Sequence, residues 1–283
     1  MIEETLGSVM AAAEKKAALL SRSVVQYLIL SCLAGAYVGL GIAFIFVVGG
    51  PLSAASSPML KVVMGASFGG ALALVIFAGS ELFTGNAMTL MAGALAGRAT
   101  WGQLAAIWGT SYVGNLIGSL GLAWLVAQSG VLAGDPQRAL VESVAAGKMA
   151  LPFGAAVARG ILANWLVCLA VWCAMRPIGD AAKLVLIFWC LFAFVAAGFE
   201  HSIANMTLMG IALFQPHGDG VSWVGYAQNL LPVTIGNVIG GAGLVGGLYW
   251  LASPITRAAE RLNAAAKPEP SPARTSDVEL AAS

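Results

Sequence analysis

Charge is what this sequence has least of. Asp, Glu, Lys and Arg together make up 10% of its 283 residues and balance to a net +1, far below the charged fraction of soluble domains. A chain so nearly neutral offers no basic surface for nucleic acid. Histidine is scarcer still: with 2 in the chain there is no His/Glu spacing of the metallohydrolase kind, and no nucleophile elbow accompanies them. The 4 cysteines, Cys32, Cys168, Cys173 and Cys190, lie in apolar runs without metal-ligand spacing. They read as small hydrophobes and say nothing of redox compartment. No metal site and no cofactor is expected.

Apolar sequence is what the chain has in excess. Hydrophobic residues make up 59% and the mean hydropathy is +0.86, the signature of an integral membrane protein. Residues 1–22 alternate Glu and Lys with Ala, Leu and Met, which predicts an amphipathic helix lying along the membrane surface. The run that follows is too long for a signal peptide and lacks a cleavage pattern. Spans are predicted at 24–48, 62–95, 103–127, 152–175, 184–214 and 225–251, a six-span channel domain over 23–252. A tail over 253–283 carries Pro268, Pro270 and Pro272 among charged and small residues and is expected to be largely disordered. Lys15, Lys16, Arg22, Arg98, Arg176, Lys183, Arg257, Arg261, Lys267 and Arg274 fall on one side of these spans. Lys61, Arg138 and Lys148 fall on the other, and Arg159 lies inside the fourth span. The bias places both termini in the cytoplasm.

The second and fifth spans are too long for a straight crossing of about 20 residues, and each is interrupted by polar residues. In the fifth, Gly198-Phe-Glu-His-Ser-Ile-Ala-Asn205 sits between apolar runs. A charge near the bilayer midplane costs roughly 3 kcal/mol even on lenient scales. Glu200 and His201 therefore predict half-helices joined by an unwound turn, buried in protein or lining a cavity. The bland alternative is that the two side chains only satisfy each other.

The interruption has a twin. Ala78-Gly79-Ser80-Glu81 and Asn86 match Ala197-Gly198-Phe199-Glu200 and Asn205 at the same spacing, each soon followed by Met-Thr-Leu-Met. Gly114-Asn115-Leu116-Ile117-Gly118 likewise matches Gly236-Asn237-Val238-Ile239-Gly240. Three spans per repeat is an odd number, so the second copy enters the membrane from the opposite side. The expected architecture is all-α, an inverted three-plus-three repeat whose broken spans meet near the midplane, with Thr84 opposite His201.

These residues resemble the formate/nitrite transporters. Ile76-Phe-Ala-Gly-Ser-Glu-Leu-Phe-Thr-Gly85 is similar to that family's first signature, Gly160-Ile-Leu-Ala-Asn-Trp-Leu-Val-Cys-Leu-Ala170 to its second, and Gly198–Met206 to its central histidine segment. The resemblance implies an aquaporin-like fold and a homopentamer with one pore per protomer. It implies a pore centre of His201 and Thr84 supported by Glu200, Asn164 and Asn205. Phe68 and Phe194 would narrow the outer side, Leu72, Leu82 and Val167 the inner side, and Lys148 would attract anions at the outer vestibule. Composition alone does not separate those apolar residues from ordinary core packing. The short connection 215–223 and the wording of the signatures are most like the nitrite-channel branch. The expected function is transport of nitrite across a bacterial inner membrane with proton transfer at the central histidine. Formate and hydrosulfide remain alternatives within the family. A neutral-solute channel and a membrane-embedded hydrolase are the alternatives from other classes.

Overall fold

In the computed structural model, residues 2–254 are described, and they are helical throughout apart from turns. The expected tail lies, from residue 255 on, outside the described residues. The helices are α1 (Ile2–Arg22), α2 (Val24–Ala54), α3 (Leu60–Ser67), α4 (Gly70–Phe77), α5 (Phe83–Leu95) and α6 (Trp101–Ser129), then α7 (Gln137–Met149), α8 (Phe153–Ala174), α9 (Asp180–Ala196), α10 (Ser202–Leu213) and α11 (Trp223–Val238). The last continues as a π-helix over Ile239–Gly247 and a final turn, α12 (Leu248–Leu251). Among the described residues, 5 stretches are long and apolar enough to cross a membrane: Val24–Ala54, Leu60–Phe77, Trp101–Ser129, Phe153–Ala174 and Trp223–Leu251.

Local chemistry sets the boundaries. Ser23 and Ser222 begin α2 and α11 by accepting the backbone N–H of Gln26 and Gly225, and Thr100 and Gln103 form a reciprocal cap at the start of α6. The stretch expected as one long second span is α3, α4 and α5 in series, with one break at Phe68–Gly69 that the sequence did not announce and another over Ala78–Leu82. The expected fifth span is α9 and α10, separated by Ala197–His201. Gly79 and Gly198 take φ of +75° and +73° in these breaks, a left-handed conformation that glycine adopts without a Cβ penalty.

Apolar side chains cover the outside as well as the core, and polar ones are unusually frequent inside. Large apolar side chains such as Val25, Phe44, Trp124, Leu125, Trp189 and Leu231 face outward, while Thr84, Asn86, Asn115, Asn164, Glu200, His201, Asn205, Asn229 and Asn237 are buried. Half-helices α5 and α10 are buried along nearly their whole length, α10 over all of it bar the last residue. Around them α2 crosses α6, and α8 crosses α11, at backbone contact. A Cβ on Gly118 would lie 1.9 Å from the Cys32 carbonyl oxygen, and one on Gly236 2.3 Å from that of Val157. Only glycine permits such approach where the bilayer gives helices no hydrophobic drive to associate. The apolar face of α1, expected at the membrane surface, is occupied by the protein itself: Leu6, Val9, Met10, Ala13 and Ala17 are buried, in clusters that include Leu90, Ala92 and Ala94 of α5.

Candidate functional site

The breaks before α5 and α10 are held open by the same device. Asn115 of α6 accepts the Phe83 N–H at 2.9 Å and donates to the carbonyls of Ser31 and Glu81 at 2.7 and 2.9 Å. Asn237 of α11 accepts the Ser202 N–H at 2.8 Å and donates to the carbonyls of Gly160 and Glu200 at 2.8 and 3.0 Å. One amide thus supplies the bonds that an unwound turn forfeits, as burial in an apolar medium demands. Each turn is also tied to the neighbouring crossing helix, Glu81 N–H to Leu30 O and Glu200 N–H to Arg159 O, both at 3.2 Å.

The two glutamates are satisfied in parallel ways. Glu81 Oε2 takes the Lys16 ammonium at 2.6 Å, the Tyr27 hydroxyl at 2.7 Å and the Asn86 amide at 3.2 Å. Glu200 Oε1 takes the Lys148 ammonium at 2.7 Å, and its Oε2 the Asn205 amide at 2.6 Å. Asn205 Nδ2 is shared with Asn229 Oδ1 at 2.9 Å, and Asn229 reaches the Lys148 carbonyl at 2.9 Å. Each carboxylate therefore lies against a lysine ammonium and an asparagine amide, as a buried carboxylate must.

At the start of the half-helices the parallel fails. The residue after Glu81 is Leu82 and the residue after Glu200 is His201, both in extended conformation immediately before α5 and α10. His201 Nδ1 accepts the Ala204 N–H at 3.2 Å, and Nε2 lies 3.0 Å from Thr84 Oγ1. An Nδ1 that accepts a hydrogen bond carries no proton, so the neutral ring in this geometry is the Nε2–H tautomer donating to Thr84. Thr84 is itself fixed from behind: its carbonyl accepts the Asn164 amide at 3.1 Å and the Cys168 thiol at 3.2 Å.

A channel-like series of spaces surrounds this pair. One vestibule of about 400 Å³ includes Lys16, Leu72, Glu81, Leu82 and Asn86 in its wall. Another of about 500 Å³ includes Lys61, Lys148, Arg159, Phe194, Glu200 and His201. Between them is a cavity of about 10 Å³ walled by Val38, Phe68, Ala71, Leu72, Leu82, Val167, Leu191, Phe194 and His201. Leu72 and Leu82 are shared with the first vestibule, Phe194 and His201 with the second. The cavity has room for at most about one water. Phe68 and Phe194 meet edge to face with ring centroids 5.6 Å apart, and Phe194 lies 5.8 Å from the His201 ring.

The structure thus brings His201, Thr84 and all five expected constriction residues to one place, with Phe68 and Val167 at the central cavity. Glu200, Asn205 and Lys148 line the larger vestibule. Thr84 and Asn164 are fully buried and line none of the three spaces; Asn164 acts on the Thr84 backbone. Lys148 is no free cation, since Glu200 holds it. Sequence reasoning gave no site role to Asn115, Asn237, Glu81, Lys16, Tyr27 and Asn229. The repeated Gly-Asn motif and the twin of Glu200 carried the signal for the first three; nothing local marks the others.

A family model described as formate/nitrite transporter matches residues 3–251. The nitrite transporter NirC of Escherichia coli is 44% identical over 254 residues, 90% of this chain and 93% of NirC. A solved structure described as an FNT family ion channel superposes with TM-score 0.84 at 44% identity, covering 89% of this chain and 100% of the other. Another, a pentameric formate channel with formate bound, gives TM-score 0.72 at 29% identity, with 82% and 98% covered.

Proposed function

The chain belongs to the formate/nitrite transporter family, and from that premise we propose that it carries nitrite across a bacterial inner membrane, the anion taking a proton at His201 on the way. The fold in this reading is six crossings in an inverted three-plus-three repeat, aquaporin-like, with α3–α5 and α9–α10 as the broken crossings. Both termini face the cytoplasm, which makes the Glu81 vestibule the inner one and the Glu200 vestibule the outer one. The protein assembles as a pentamer, a reading supported by the pentameric relative, with a pore in each protomer.

One observation carries the mechanism: His201 is the only ionisable residue in the wall of a cavity too small for a hydrated ion. Moving a bare anion into such a space has an idealised cost of order 20 kcal/mol. Protonating an acid of pKa about 3 at neutral pH costs roughly 5 kcal/mol, so crossing as the neutral acid wins even if the first figure is several-fold too high. The N-termini of α5 and α10 converge on the cavity through Leu82 and His201, and their dipoles favour the anion up to the moment of transfer. The step balances simply. An imidazolium ring N–H bond breaks, an O–H bond forms on nitrite, and neutral imidazole and nitrous acid leave the encounter. Charging the ring adds a proton at Nδ1, where the Ala204 N–H now sits, so the loaded state is one in which the α10 cap is undone. Thr84 orients the ring nitrogen that faces it.

Uptake of nitrite, formate and glycerol by proteoliposomes, compared side by side, tests the reading. Nitrite is expected to enter fastest and glycerol not at all; glycerol entry at a similar rate overturns it. The formate-bound relative favours formate as the second reading, and faster formate uptake would establish it.

A further inference from the structure

The charges that line the two vestibules cancel at one end of the pore and not at the other. In the Glu81 vestibule the charged lining is Lys16 and Glu81, joined at 2.6 Å. In the Glu200 vestibule it is Lys61, Lys148, Arg159 and Glu200. There Lys148 and Glu200 are joined at 2.7 Å. From several ångströms away such a pair is a dipole, whose field falls off faster than that of a single charge. Lys61 and Arg159 form no ion pair among the described residues, and both are exposed. An ion entering this space therefore meets their charges first. Arg159 is also held in register with the pore centre, because its carbonyl accepts the Glu200 N–H at 3.2 Å.

We propose that Arg159 and Lys61 form a capture site for small monovalent anions in the Glu200 vestibule, and that Lys148 serves to hold Glu200 in place. The inference rests on the anion-channel reading and deepens it, moving capture from the lysine that the family resemblance pointed to onto these neighbours. It also makes the pore electrostatically lopsided: anions are concentrated at one mouth, while the other mouth is neutral. Because both side chains meet water, the effect reaches about one Debye length, roughly 8 Å at physiological salt, and weakens as salt is added.

The local potential can be read without transport. Single cysteines are placed at Leu151, in the wall of the Glu200 vestibule, and at Ala12, in the wall of the other. The background has the partly exposed Cys32, Cys173 and Cys190 replaced by alanine. The measured quantity is the modification rate with an anionic thiosulfonate divided by that with a cationic one, a ratio that cancels the thiol's own reactivity. It is expected to be higher at Leu151 than at Ala12, and to fall about threefold for each of Arg159→Gln and Lys61→Gln. Arg159→Lys is expected to keep it. In liposomes the double variant is expected to raise the nitrite concentration for half-maximal flux several-fold, with maximal flux unchanged. Equal ratios at the two mouths, or no fall in the double variant, overturn the proposal. Failure of the unsubstituted protein to carry nitrite speaks instead against the anion-channel reading, since the thiosulfonate ratio does not depend on it.

Discussion

The halves of this molecule use one scaffold and differ at its centre. In each, a glutamate sits in a glycine-initiated break, an asparagine 5 residues on binds it, and a lysine from the helix preceding the half's first long helix closes the ion pair. Asn115 and Asn237 pin the breaks with matching sets of bonds. At the positions that converge on the cavity the likeness ends: Leu82 stands where the other half has His201, and Thr84 where it has Ile203. The pair at 3.0 Å is therefore made of one residue from each half. Architecture is written in both halves, while the titratable group is written in one, and its partner in the other.

The comparison can be broken most forcefully at the scaffold. Asn115→Ala and Asn237→Ala each remove three hydrogen bonds from a buried turn, at about 1–1.5 kcal/mol apiece or roughly 4 kcal/mol in all. Unfolding of the detergent-solubilised protein is expected to shift by similar amounts in both; a loss confined to one would show that the halves are not supported alike. At the centre the effect should be one-sided. His201→Asn is expected to slow nitrite flux about 100-fold, within the range for loss of a general acid, and to flatten its pH profile. A profile like that of the unsubstituted protein would leave His201 a lining residue only. Thr84→Val keeps the shape but gives the imidazole no oxygen, and should slow flux roughly tenfold, about 1.4 kcal/mol, with the pH dependence retained. Smallest of all, Phe194→Ala should raise flux a few-fold and loosen selectivity, because a wider gap lets the anion keep part of its hydration. If Phe194 is packing alone, conductance stays unchanged and stability drops by about 3–5 kcal/mol instead.

How much of this was legible follows from the range of each interaction. Glu200, His201 and Asn205 stand out because polar residues in an apolar run have no inexpensive explanation, and matched spacing exposes Glu81 and Asn86. The role of Asn115 was visible as a repeated motif but not as a bond, since the motif says nothing about which backbone groups an unwound turn leaves free. Lys16 was hidden for another reason. Its partner lies 65 residues away, and an amphipathic helix has the same periodicity whether its apolar face meets lipid or protein. The π-helix at Ile239–Gly247 escaped as well. Nothing in that glycine-rich run marks a change of period, and only the structure shows the wider winding, with Gly241 set against Asn164 and Cys168.

The cavity of about 10 Å³ between the vestibules bears on the energy economy of the surrounding membrane. A membrane that stores energy as a proton gradient is drained by any continuous file of water, along which protons hop without a carrier. Here the file is broken: the walls are apolar apart from His201, and the space holds at most about one water. On the reading proposed above, such a pore needs no closing lid to hold the gradient. Under the proposed mechanism a proton would cross it only in the company of an anion, and leakage would then be limited by how much substrate is present and not by how many channels the cell has made.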